Sequence, residues 1–98
     1  MKTYILDGKV PVPESDFDKW GAWFESHDRH VAETVVGFLW WKRRVSTVFL
    51  GIDHSFLDEG FPVLFETMIF GGRHNGYQSR STTWSKALRD HEDACAIA

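Results

Sequence analysis

An α+β fold is predicted for this chain: a mostly antiparallel sheet of about four to five strands with two helices packed on it. Three observations carry the prediction. Residues 45–52 and 62–70 are dense in β-branched and aromatic residues and are separated by a polar, acidic loop, the pattern of two paired strands. Residues 16–27 and 84–96 instead repeat their apolar residues at helical spacing behind a capping residue. Nothing supplies regular strand–helix–strand crossovers, so the sheet is expected to be antiparallel. The 98 residues suffice for one domain, 1–98, in the order β-α-β-β-β-β-α.

Each element has a local cause. Residues 3–6 are a short apolar strand stopped by the turn dipeptide Asp7-Gly8. Pro11 and Pro13 fix their own φ and restrain the residues before them, which suits an extended connection from strand to helix. Ser15 or Asp16 can cap a helix running to about His27, with acidic residues at its start where the helix dipole favours them. Phe17, Trp20 and Phe24 fall at i, i+3 and i+7, and Trp23 widens that stripe. SHDRH at 26–30 breaks the helix, and Val31, Thr34 and Val36 favour a strand over 30–36. GFLWWKRR at 37–44 is read as the end of one strand and the turn into the next, without an Asn-Gly apex. The loop 53–61 between the central strands has nine residues, more than a minimal hairpin needs. After Gly71-Gly72, residues 77–82 form a polar, edge-like strand. Thr83 caps a last helix over 84–96 whose stripe is Trp84, Ala87, Leu88, Ala94 and Cys95, with His91 at the i+7 place.

Composition narrows the function. Five Trp and eight Phe are a large apolar load for so short a chain, and several rings are expected to face a partner or ligand. A formal net charge of −3 argues against general nucleic-acid binding, which needs a basic face, but leaves room for a local basic site. The single cysteine, Cys95, rules out an intramolecular disulfide and fits a reducing cytoplasm. MKTYILDGKVPVPE lacks a signal peptide's apolar core, and no run approaches the roughly 20 apolar residues of a membrane span. The expected protein is cytoplasmic, with no membrane partner and no cofactor.

The second central strand is apolar on both sides: Val63, Phe65, Thr67 and Ile69 on one, Leu64, Glu66, Met68 and Phe70 on the other. A sheet wet on one face should alternate apolar with polar. Either the two helices cover one face each, or a second subunit covers the bare one. A homo-oligomer, a dimer or higher, is therefore expected.

Candidate ligand-binding residues are Trp20, Trp23, Arg43, Arg44, Thr47, Asp53, His54, Glu66 and Arg80. Glu66 within LFETMIF must be paired or carry a raised pKa if its face is buried, and Arg80 is the candidate partner. Asp53-His54 lies at a strand end, where functional loops are commonly mounted. Its spacing matches no metal motif, and His27 and His30 bracket a helix end. Lys42, Arg43 and Arg44 beside Trp40 and Trp41 combine rings for stacking with charge for phosphate, or form a strand end with snorkelling basic side chains. Trp20 or Trp23 belongs to the core or lines a pocket for a flat ligand. Thr47, Ser79 and Thr82 add hydroxyls, and Cys95 is read as packing. There is no dinucleotide fingerprint, no P-loop and no nucleophile elbow.

Taken together, YILDGKVPVP, W-x-x-WF-x-x-x-DRHVA, VSTVFLGIDHSF, LFETMIFGG and YQSRSTTW resemble a group of small proteins of unknown function seen in tailed phages and prophage regions. The match spans nearly the whole chain, although the segment between the second and third strands looks shorter in such relatives. The resemblance implies an accessory protein in a bacterial host cytoplasm that counters host defence by sequestering a signal or blocking a defence protein. Joined to the residues, it predicts a non-enzymatic homo-oligomer binding a small anionic ligand such as a nucleotide. The alternative is an inhibitor that binds a host protein through exposed aromatics. A third reading is a small hydrolase built on Asp53, His54 and Glu66.

Overall fold

The computed structural model describes residues 2–55 and 60–98. It is an α+β structure with two antiparallel sheets and two helices. Strands β1 (Tyr4–Asp7) and β2 (Val10–Pro13) form a small hairpin. The main sheet has β3 (His30–Val36), β4 (Arg43–Phe49), β5 (Phe65–Phe70) and β6 (Gln78–Ser81), in sequential order. Helix α1 (Phe17–Ser26) follows the hairpin and α2 (Trp84–Ile97) closes the chain.

The proline segment is a strand, not a linker. Asp7-Gly8 turns the chain back, and Pro11 and Pro13 lie opposite Leu6 and Tyr4. Proline fits there because, among the described residues, β2 pairs with β1 alone, so its other edge needs no ladder donor. The first central strand starts two residues and ends three residues nearer the N-terminus than its composition suggests. Gly51 at φ +76 ends it, and its carbonyl goes instead to Tyr4 N–H and the Trp20 indole. Of the connection over 53–61, residues 56–59 lie outside the described residues.

Asp16 caps α1 by accepting from the Asp18 and Lys19 N–H groups. Thr83 caps α2 by accepting from Lys86 N–H. Helix α2 lies across all four strands of the main sheet, whereas α1 packs chiefly on β1. The face under α2 carries Val45, Thr47 and Phe49 from β4, and Phe65, Thr67 and Ile69 from β5, all buried. Two apolar clusters form there. One joins Phe49, Leu64, Phe65 and Ala87 to Tyr4, Leu6, Trp23, Val31 and Trp84. The other joins Val45, Ile69 and Ala94 to Val36, Tyr77, Cys95 and Ala98.

The opposite face alternates. Glu33, Val35, Arg44, Ser46, Val48, Glu66, Met68, Phe70, Gln78 and Arg80 point outward by register, and among the described residues no helix lies over them. Its charges pair across strands. Arg44 meets Glu33 at 3.2 Å and rests over the Phe70 ring at 4.5 Å. Glu66 accepts from Arg80 Nε at 3.0 Å and from Gln78 Nε2. These pairs satisfy the Glu66 side chain among apolar neighbours without a separate ligand.

Candidate functional site

The 37–42 connection between β3 and β4 is neither an open loop nor a tight hairpin turn. It contains a single 3₁₀ turn, Leu39–Trp41, closed by Trp41 N–H to Phe38 O at 3.0 Å and Lys42 N–H to Leu39 O at 3.3 Å. Gly37 makes it possible. Its φ is +90, and a Cβ there would sit 2.4 Å from the Trp41 carbonyl oxygen. Leu39 itself is held at φ +55, a left-handed conformation seldom adopted by a leucine. The turn lifts four consecutive apolar side chains into solvent: Phe38 is 70% exposed, Leu39 55%, Trp40 82% and Trp41 65%. Trp40 and Trp41 stand edge to face with centroids 6.5 Å apart, and the four side chains border an apolar recess of about 250 Å³.

Behind this knob lies a basic collar. Lys42, Arg43 and Arg44 follow it directly, and the antiparallel ladder brings the β5–β6 connection, with Arg73 and His74, to the same end of the sheet. Arg43 packs over Gly72, where any Cβ would collide with its side chain. Arg43, Arg73, His74 and the end of α2 line a cleft of about 320 Å³. Among the described residues, no carboxylate pairs with Lys42, Arg43 or Arg73. No Asp or Glu occurs in residues 34–52 or 67–89. Lys42, Arg43, Arg44 and Arg73 supply +4 to a chain whose net is −3, so the remainder carries −7. Four basic side chains thus gather at one end of the sheet.

The other predicted site residues do not converge on a common point. Trp20 is fixed in place, its indole N–H shared between the Tyr4 and Gly51 carbonyls at 3.2 and 3.1 Å. Trp23 stacks on His27 at 4.9 Å, meets Phe49 edge-on, and lines a cleft of about 330 Å³ with Leu6, Trp84 and the paired His30 and Asp28. Backbone and ring bonds from His30 hold the Asp28 carboxyl below its ordinary value. Thr47 is wholly buried under α2. Asp53 clips its own loop. Burial alone would raise its carboxyl, but N–H bonds from Ser55 at 2.8 Å and Val63 at 2.9 Å, with the Ser55 hydroxyl and Lys2, outweigh that and hold it low. His54 donates its backbone N–H to Val63 O at 2.9 Å. Glu66 and Arg80 meet each other on the outward face. Asp53, His54 and Glu66 share no hydrogen bond among the described residues, so no acid–base pair is assembled from them. Among the described residues no group of three or more His, Cys, Asp or Glu could hold a metal ion.

The sequence reading passed over His91 as a chemical group. Its Nδ1 lies 2.7 Å from Thr47 Oγ1 and its Nε2 2.8 Å from Thr34 Oγ1, while Thr47 and Thr67 share a further bond of 2.7 Å. This polar belt separates the two apolar clusters. Ser79, opposite Thr67 on β6, continues the row with a buried hydroxyl that has no hydrogen-bond partner among the described residues. The signal was present in the sequence, since His91 is four residues after Ala87 and three before Ala94, inside the apolar stripe of α2. Trp40, Trp41 and Lys42, weighed beside Arg43 and Arg44, were left out of the candidate residues, and so were Phe38, Leu39 and Arg73.

No family model matches this chain, and neither does any curated protein or solved structure. Among the described residues no helix is long and apolar enough to cross a membrane.

Proposed function

We propose that this protein is a non-catalytic docking module that acts by occupancy, attaching to an anionic partner surface through the 38–41 knob and its basic collar. The observation that carries this reading is the exposure of four successive large apolar residues on a turn that is hydrogen-bonded within itself and held by Gly37. Exposed aromatics beside arginine are the composition of interface anchors. The knob is pre-formed, so little ordering entropy is lost when it binds. The scattered placement of Asp53, His54 and Glu66 gives a hydrolytic reading no comparable support. With the resemblance to small phage proteins, the reading makes this an accessory protein that blocks or positions a host component rather than turning over a substrate.

Photo-crosslinking in the producing cell tests it. A benzophenone-bearing side chain replaces Trp40 in one variant and Val10 in another. Val10 is 62% exposed on β2, beside the start of α2, whereas the collar lies by the end of α2. Adducts, protein or lipid, are expected at position 40 and not at position 10. Equal adducts at both positions, or none at 40, would contradict the proposal.

A further inference from the structure

We infer that the surface taken by the knob is an anionic lipid bilayer, on which the protein sits peripherally with residues 38–41 in the interface and the collar over the headgroups; this rests on the docking reading above. Three features favour a bilayer over other anionic partners.

The first is the chemistry of the tip. Residues 37–41 are Gly, Phe, Leu, Trp and Trp, so the indole N–H groups are the only side-chain hydrogen-bonding groups it presents. An indole joins an apolar body to a single donor, which suits the boundary between headgroups and acyl chains. A platform for single-stranded nucleic acid would stack bases on successive ring faces along a basic groove. Here Trp40 and Trp41 are turned 86° to each other, and Leu39 between Phe38 and Trp40 has no ring.

The second is dimension. A 3₁₀ turn rises about 2 Å per residue, so the three residues Leu39–Trp41 span about 6 Å. Interfacial segments bury to roughly 5–10 Å. The third is the position of the charges. Lys42 and Arg43 come directly behind the tip, and Arg73 and His74 join Arg43 from the next connection around one cleft. Glu33 on the outward face is already paired with Arg44. Each Lys or Arg close to an anionic leaflet strengthens partition about fivefold. Neither connection carries an Asp or Glu, so attraction to the leaflet is concentrated on these two connections.

Co-sedimentation of the whole protein with vesicles tests the inference. One set is phosphatidylglycerol and phosphatidylcholine in equal parts, the other phosphatidylcholine alone, each in low salt and in about 0.5 M salt. Binding is expected to the mixed vesicles only and to weaken with salt. Tryptophan emission should be quenched by brominated acyl chains. The W40A/W41A variant, altered only at exposed positions, should keep its melting temperature, bind at least about tenfold more weakly and lose the quenching. R43A/R73A should lose much of the salt dependence.

Absence of sedimentation, equal binding to both vesicle sets, quenching that survives in W40A/W41A, or binding of an oligothymidylate in place of vesicles would each overturn the inference. If vesicles are not bound but position 40 still crosslinks to a protein in cells, the bilayer falls and the docking reading stands. If both fail, both fall.

Discussion

At the level of single side chains, the belt of Thr34, Thr47, Thr67 and His91 ties α2 to three strands at once. Each buried hydrogen bond contributes about 1 kcal/mol net, and removing one member leaves the others unsatisfied at a cost of about 1–3 kcal/mol. Burial pushes the His91 imidazole below its ordinary value of 6.5, and the neighbouring Glu92 charge only partly opposes this. The folded protein therefore takes up a proton here less readily than the unfolded chain. Below pH 6.5 the unfolded state binds more protons, so stability is complete above that value and falls as pH drops towards the folded-state pKa. Thermal melting followed from pH 7.5 to pH 5 is expected to show that decline. His91→Gln should melt lower at pH 7.5 yet lose this part of the slope. A flat wild-type profile, or equal slopes in both proteins, would contradict the assignment. Thr47 shows why such a group is hard to read from a sequence. A hydroxyl in mid-strand looks the same whether a ligand or a helix faces it. Its partner His91 is 44 residues away and is brought in only by the packing of α2.

Among the elements, the strands and helices were largely legible because each has a local cause. Asp16 and Thr83 are side-chain caps, and β3, β5, β6, α1 and α2 fall within a few residues of where periodicity places them. One departure, the proline strand, and one refinement, the form of the turn expected at 37–44, have physical sources. Val10–Pro13 became a strand because Asp7-Gly8 folds it onto β1, and a paired proline strand and an extended proline linker have the same local conformation. The 37–42 connection became a 3₁₀ turn because Gly37 and Leu39 both take positive φ, which a leucine does not announce. Gly37→Ala should therefore strain the turn. The added methyl meets the Trp41 carbonyl, and the left-handed φ costs of order 1–3 kcal/mol for a side-chain-bearing residue. Denaturant titration is expected to show a loss of that size, whereas Gly8→Ala, with open space around its Cβ, should lose less. Equal losses at the two positions would show that the turn is not held as described.

Across the whole molecule, one face of the sheet is sealed by α2 and the other alternates charge pairs with half-exposed apolar residues. Both helices lie away from that outward face. Within this chain the two helices therefore do not cover one face of the main sheet each. Part of the apolar excess seen in the sequence is concentrated at one end, where Phe38, Leu39, Trp40, Trp41 and Phe70 stand beside Lys42, Arg43, Arg44 and Arg73. The composition made the aromatic load plain. It could not show that the load gathers beside these basic side chains, because that depends on the ladder bringing the 37–42 and 71–77 connections side by side. Acrylamide quenching of tryptophan emission, wild type minus W40A/W41A, tests this arrangement most directly. The difference spectrum isolates two of the five indoles. It is expected to be red-shifted and strongly quenched, as for side chains standing in water on a folded protein. A blue-shifted, protected difference spectrum would mean that the knob is buried by the chain itself or by a second copy, and that the docking surface described above is not free to dock.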